Sequence, residues 1–134
     1  NGALIKHLET KGLCMWASDI EPQAEGIHSS PYDMLGFDEL IESDYIITNP
    51  PWDRKILHPM IDFFAPKRST WLLFDADWMH TKQSREYMWL CRKIVSVGRI
   101  KWFGNTTGKD NCAWYLFKEE FAWNVKPPEF IGRI

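Results

Sequence analysis

The feature that most restricts the fold is Asp44-Tyr45-Ile46-Ile47-Thr48, an apolar run of strand length that stops abruptly at Asn49-Pro50-Pro51-Trp52. Two adjacent prolines lack the N–H groups that a helix or a sheet ladder needs, and they fix φ, so neither pattern continues through them. The residue before each proline is driven toward extended backbone. The expectation is a buried strand over 44–48 that runs into a stiff, sharply defined loop.

Helix and strand patterns alternate around this point. Leu4, Ile5 and Leu8 begin a helix that runs to about Lys11, with Gly12 as its stop. Leu13 to Ala17 reads as a strand ending at Ser18-Asp19, and the segment around Ile27-His28 as another before Pro31 interrupts it. Ile56, Leu57, Met60, Ile61 and Phe64 form the stripe of an amphipathic helix, and Pro59 places the helix start close to that residue. Ser69 to Phe74 reads as a buried strand with Asp75 and Asp77 at its end. Tyr87, Leu90, Cys91 and Ile94 recur at helical spacing, and Val95 to Phe103 and Ala113 to Phe117 read as two final strands around the polar loop 104–111. An alternation that closes on two strands without a helix between them predicts an α/β doubly wound, mostly parallel sheet with an antiparallel terminal pair. Such a fold opens on a strand, whereas residue 1 here stands at the mouth of the first helix. The expectation is therefore one domain over 1–134, truncated at its front, with the first strand missing.

Composition narrows the class further. A chain of 134 residues, 45% hydrophobic, is long enough to bury a core as a single domain. No apolar run approaches the roughly 18 to 20 residues of a membrane span, so a membrane partner is not expected. The start carries no secretory pattern, and three cysteines, Cys14, Cys91 and Cys112, cannot all pair. Reduced, buried thiols in a cytoplasmic compartment are expected, and their wide spacing offers no metal site. With 16 Lys and Arg against 18 Asp and Glu, the long-range field does not draw the chain onto nucleic acid, so any polyanion contact must be local. Eight tryptophans exceed ordinary usage; they serve packing in the main, with base stacking as the functional alternative.

In open parallel sheets, ligands lie beyond the carboxyl ends of the strands. Four polar positions meet that condition. Asn1-Gly2 fits the end of a Gly-rich turn where backbone approaches a cofactor, although one glycine is weak evidence. Asp19 stands where a carboxylate accepts both hydroxyls of a ribose, 17 residues past Gly2 (19 minus 2), and equally suits a helix cap. Asp33, followed by Met34, fits acceptance from an adenine amino group with the thioether over the ring, or a plain turn cap beside Pro31.

Asn49 to Trp52 is more specific. The Asn49 side chain and the Pro50 carbonyl are two neighbouring acceptors on stiff backbone, a pair that suits an NH₂ group. The lone pair of a conjugated amine is delocalised into its ring or carbonyl, and accepting both hydrogens favours the tetrahedral geometry that frees it. Trp52 supplies a surface on which the planar group bearing that amine stacks.

In its Asn-Pro-Pro-aromatic form, Asp44 to Trp52 resembles motif IV of the class I amino-methyltransferases. Asn1-Gly2-Ala3 resembles the end of their motif I, Trp16 to Pro22 their ribose-binding motif II, and Tyr32-Asp33-Met34-Leu35 their adenine-binding motif III, in the same order and spacing. The resemblance covers residues 1 to about 52. It implies S-adenosylmethionine as cofactor, held by Asn1, Gly2, Asp19, Ile20, Asp33 and Met34. It also implies methyl transfer to a planar nitrogen, most often N6 of adenine in DNA, at Asn49, Pro50, Pro51 and Trp52. A DNA substrate would be flipped out of the duplex onto Trp52. The strand and first glycines of motif I are absent, and no target-recognition domain is evident. Lys109, in the loop Asn105 to Asn111 flanked by Lys101, Trp102 and Trp114, suits phosphate contact and equally a plain polar hairpin loop; Arg54-Lys55 and Lys67-Arg68 read as a solvated face, with phosphate contact as the alternative. The same kind of loop also serves RNA bases and the glutamine amide of proteins, and a catalytically silent relative would keep the sheet as a binding module. A Rossmann dehydrogenase leaves Asn49 to Trp52 unexplained.

Overall fold

A computed structural model describes residues 6, 8–10, 18–19, 28–29, 43–101 and 108–133, with 18–19 and 28–29 described by their backbone. Contacts cluster into two units, Asn1–Ser43 and Asp44–Ile134. In the first, Lys6 and Leu8 are helical and Glu9-Thr10 turn, so the helix stops short of the expected end at about Lys11. Strands β1 (Ser18–Asp19) and β2 (His28–Ser29) pair in parallel, Ser18 against His28 and Asp19 against Ser29. The strand expected from Leu13 does end at Asp19; residues 13–17 lie outside the described residues.

The second unit is a five-stranded sheet. Its strands are β3 (Tyr45–Thr48), β4 (Ser69–Asp75), β5 (Cys91–Arg99), β6 (Asn111–Phe117) and β7 (Glu129–Ile131), in the order β3-β4-β6-β5-β7. Helix α1 (Arg54–Phe64) connects β3 to β4, which pair in parallel. Strand β6 inserts between β4 and β5 and runs against both, while β7 lies parallel to β5. The expected antiparallel pair is thus β5 with β6, but β5 runs Cys91–Arg99 in place of the expected Val95 to Phe103, and β7 follows the pair, which is not terminal. The sheet is mixed rather than mostly parallel, because β6 reverses two neighbouring pairings and not one.

Asp53 starts α1: its carboxylate accepts from the Lys55 N–H at 3.0 Å, and its carbonyl accepts from Ile56 and Leu57 at 2.9 and 2.8 Å. Pro59 does not begin the helix but lies inside it. The carbonyl that it leaves without a helical donor, that of Lys55, belongs to an exposed residue in the first turn, where water can serve it. Leu57, Met60, Ile61 and Phe64 form the buried stripe, and Ile56 stays 37% exposed.

The helix expected over Tyr87 to Ile94 does not form. Two short 3-10 turns, Gln83–Glu86 and Met88–Leu90, lead directly into β5. Tyr87 and Leu90 owe their three-residue spacing to 3-10 geometry, in which i and i+3 eclipse. Cys91 and Ile94 owe theirs to a β-bulge. Cys91 pairs with Phe117 and Ile94 with Tyr115, two residues apart on β6, so one extra residue on β5 sets three residues against two. Strand β3 also departs from expectation. Among the described residues it stands at the edge of the sheet, and Tyr45 (55% exposed) and Ile47 (37%) lie on the sheet face opposite α1.

The α1 face carries the core. Leu72, Phe74, Ala113, Tyr115, Phe117, Cys91 and Ile94 pack with Leu57, Ile61 and Ala65, and Trp78 fills the centre. Phe74 and Tyr115 stack at 4.2 Å, and Trp78 meets both edge-on at 5.1 and 5.3 Å. The polar tips inside this cluster are satisfied: Trp78 Nε1 donates to His58 Nε2 at 3.0 Å, and the Tyr115 hydroxyl donates to the Asp75 carbonyl at 2.9 Å.

Two consequences are measurable. Gly98 sits at the second bulge of β5 with φ +84°, and a Cβ there would lie 2.6 Å from Nη1 of Arg133. Gly98→Ala should lower stability in chemical denaturation by about 1–2 kcal/mol from the left-handed backbone alone. Burial pushes the Cys91 thiol up to about 12 from its usual 9.0. The unfolded chain therefore loses this proton first, and the stability present below about pH 9 falls as pH rises toward 12. Cys91→Ala should flatten the alkaline slope by up to about 1.4 kcal/mol per pH unit; an unchanged slope would assign the alkaline loss to other groups.

Candidate active site at the carboxyl edge of the sheet

Strands β3 and β4 run in parallel, so the loop leaving β3 and the turn leaving β4 emerge at one edge. Asn49 to Trp52 form the first, and Asp75, with the 3-10 turn Ala76–His80, begins the second. Asn49 and Pro51 are exposed, Pro50 is buried and Trp52 half-buried, packed against the core cluster. A buried Pro50 anchors the loop from below and leaves Asn49 on the open side. Trp52 Nε1 donates to Asn49 Oδ1 at 3.4 Å, a long bond that holds the amide beside the indole.

Arg54 pins the loop to β4. Its Nη1 donates to the Trp52 carbonyl at 3.1 Å, and its Nη2 pairs with Asp75 Oδ2 at 3.3 Å. The two side chains are 29% and 23% exposed, which places the pair between a surface ion pair and a buried one. The other oxygen of Asp75 accepts from the Asp77 N–H at 2.9 Å and caps the 3-10 turn. Arg54 is thus not part of a solvated face; Lys55, exposed beside it, is. Neither Arg54 nor Asp75 stood among the expected site residues. The strand-end rule already points to Asp75, which leaves β4 as Asn49 leaves β3.

Arg54 also acts on His58, one turn further along α1. Burial first, and then the Arg54 charge, lower the His58 pKa, which keeps the imidazole neutral and its Nε2 free to accept from Trp78. Tyr87 stacks on the same ring at 4.4 Å. Burial raises the pKa of Asp62 on this helix, and burial, then Asp110 and Asp75, raise that of the Cys112 thiol.

The loop between β5 and β6 opens on the same edge, as its position between the last two strands implied. Asp75 pairs with Cys112, and Gly98 also pairs with Cys112, so Lys109 lies just outside the sheet beside the β4 turn. The Gly108 N–H donates to the Ile100 carbonyl at 2.9 Å and closes the neck of the loop. Lys109 is exposed. Asp19 ends β1, in the other unit. The remaining expected cofactor residues, Asn1, Gly2, Ile20, Asp33 and Met34, lie outside the described residues, as do Trp102 and 103–107. Among the described residues no group of three His, Cys, Asp or Glu is placed to hold a metal ion, and no helix is long and apolar enough to cross a membrane. Compared with protein-family models, curated proteins and solved structures, the chain matches none.

The pinning makes a local prediction. Arg54→Ala removes both the Asp75 partner and the donor to Trp52, and should cost about 1 kcal/mol at this half-exposed site. Amide exchange at Lys55, Ile56 and Leu57, whose N–H groups donate to Asp53, should then speed up about fivefold, against little change in the middle of β6; a uniform change over both would mean that Arg54 supports the fold and not the loop.

Proposed function

We propose that this chain is an S-adenosylmethionine-dependent N-methyltransferase that acts on an exocyclic amine, N6 of adenine in DNA. The observation that carries the reading is Asn49-Pro50 at the carboxyl end of a parallel strand, with the amide exposed and the loop fixed on both sides. The ends of parallel strands are where α/β sheets receive ligands. In this reading the mixed sheet is the second half of a doubly wound domain, and the unit that contains β1 and β2 is the cofactor half.

Asn49 Oδ1 and the Pro50 carbonyl accept the two hydrogens of the amine. To do so, Asn49 exchanges its 3.4 Å bond to the Trp52 indole for one to the substrate, and a bond that long is readily given up. The indole face takes the base in a stack, as a flipped nucleotide requires. Fixing both N–H bonds draws the nitrogen toward tetrahedral geometry and localises its lone pair for attack. After transfer, Asn49 and the Pro50 carbonyl hold the positive nitrogen until its extra proton leaves to water.

S-adenosylmethionine, when bound, supplies a methyl group on a sulfonium, which accepts the electron pair of the breaking bond. A parallel strand ending on Asp19 fits the ribose of that cofactor, since a carboxylate there can accept from both hydroxyls. By the resemblance, Asp33 and Met34 would hold the adenine ring and Asn1, Gly2 and Ile20 would line the turn beside it.

Calorimetric titration with S-adenosylmethionine tests the cofactor, and label transfer to duplex DNA, RNA and protein tests the substrate. Saturable binding and label on adenine are expected, with Asn49→Ala about 100-fold slower and its fold intact. A fully active Asn49→Ala would sink the mechanism. Label on protein alone would move the reading to a glutamine amide.

A further inference from the structure

The three strands beyond β4 bring four cations to the carboxyl edge. Arg99 is the last residue of β5 and pairs with Asn111, the first residue of β6. Lys101 and Lys109 stand on the two sides of the neck closed by Ile100 and Gly108. Arg133 follows β7, which lies parallel to β5 and so ends at the same edge. All four are exposed, and among the described residues none of them takes part in an ion pair.

Arg133 is positioned rather than free-floating. Its side chain lies along Gly98, with Nη1 2.6 Å and Cζ 3.1 Å from where a Cβ would stand, so the missing side chain makes room for the guanidinium. Among the described residues the acids at this edge are Asp53, which caps α1, Asp75, paired with Arg54, Asp77, which follows β4, and Asp110 beside Lys109, and of these Asp110 alone lies on the stretch over β6, β5 and β7. A chain with net charge −2 therefore gathers unpaired positive charge on one stretch of one edge. At a strand spacing of about 4.8 Å, the row over β6, β5 and β7 spans ~10 Å and begins ~10 Å from Asn49.

We propose that Arg99, Lys101, Lys109 and Arg133 form a phosphate-contact ledge for duplex DNA, which seats the backbone while the base reaches Asn49. This rests on the reading of Asn49 to Trp52 as an amine site and names what holds the substrate there. Contacts of this kind carry no sequence information and position the duplex. They also release counterions, so affinity falls with salt by about 0.9 log units per log unit of salt for each phosphate neutralised.

The test is anisotropy with the full chain and a labelled mixed-sequence duplex of about 30 base pairs, titrated from about 50 to about 200 mM salt. Each single alanine variant of the four should reduce the salt slope by about 1, uniformly across sequences. The combined variant should lose about 3 to 4 of slope and at least about 100-fold in affinity at low salt. Lys82→Ala, Lys118→Ala and Lys126→Ala, which remove exposed cations elsewhere, should leave the slope as it is. A combined variant with the wild-type slope, an equal loss in the three controls, or no duplex binding by the wild type overturns the ledge. Asn49→Ala and cofactor titration separate this from the chemistry. Duplex binding that depends on the four cations, without methyl transfer, keeps the ledge and rejects the enzyme; methyl transfer without such dependence does the reverse.

Discussion

The indole of Trp78 holds the second unit together. It is fully buried against Phe74, Tyr115 and Phe117, and its N–H has one acceptor, His58 on α1. Burial of a tryptophan corresponds to roughly 4 to 6 kcal/mol of gross apolar transfer, an upper estimate. The hydrogen bond adds direction to that packing. It fixes the 3-10 turn after β4 against the second turn of α1, and the loop before α1 then has little freedom left. The neutrality of His58 belongs to the same arrangement, since a protonated ring has no lone pair for the indole.

What the core fixes from below, Arg54 fixes from above. Its guanidinium joins the Trp52 carbonyl to the carboxylate that caps the next turn, so the two loops at the end of the parallel pair move together. The amide of Asn49 stays outside this network except for one long bond to Trp52. A rigid support under an exposed acceptor is the arrangement expected where a ligand exchanges hydrogen bonds with the protein. Further along the edge the pattern inverts: Arg99, Lys101, Lys109 and Arg133 face solvent without counterions among the described residues.

Much of the second unit was legible in the chain. The strand over 45–48, the helix stripe through Leu57, Met60, Ile61 and Phe64, the strand from Ser69 and the final antiparallel pair all follow from local pattern. The errors have physical causes. A 3-10 turn and a bulged strand both repeat at three, and in Tyr87 to Ile94 they imitate an α-helix. The strand β7 is only three residues long, follows Pro127-Pro128, and forms because β5 offers it an edge, which is a fact about β5. The exposure of Tyr45 and Ile47 likewise depends on where β3 stands in the sheet.

By itself the sequence determined the places where the backbone must change course. Pro50-Pro51 ends β3, because N–H supply and fixed φ are local matters; the caps at Asp53 and Asp75, each a carboxylate two residues ahead of its donor, are equally local, although Pro59 points to a later helix start. Only the tertiary structure decided which of these places meet. Arg54 reaches Asp75 across 21 positions in sequence, and Arg133 comes to rest on Gly98 of β5, which the insertion of β6 separates from β4. Such pairings depend on strand order and bulge register, which arise from the packing of the whole sheet and leave no periodic mark in the residues that they bring together.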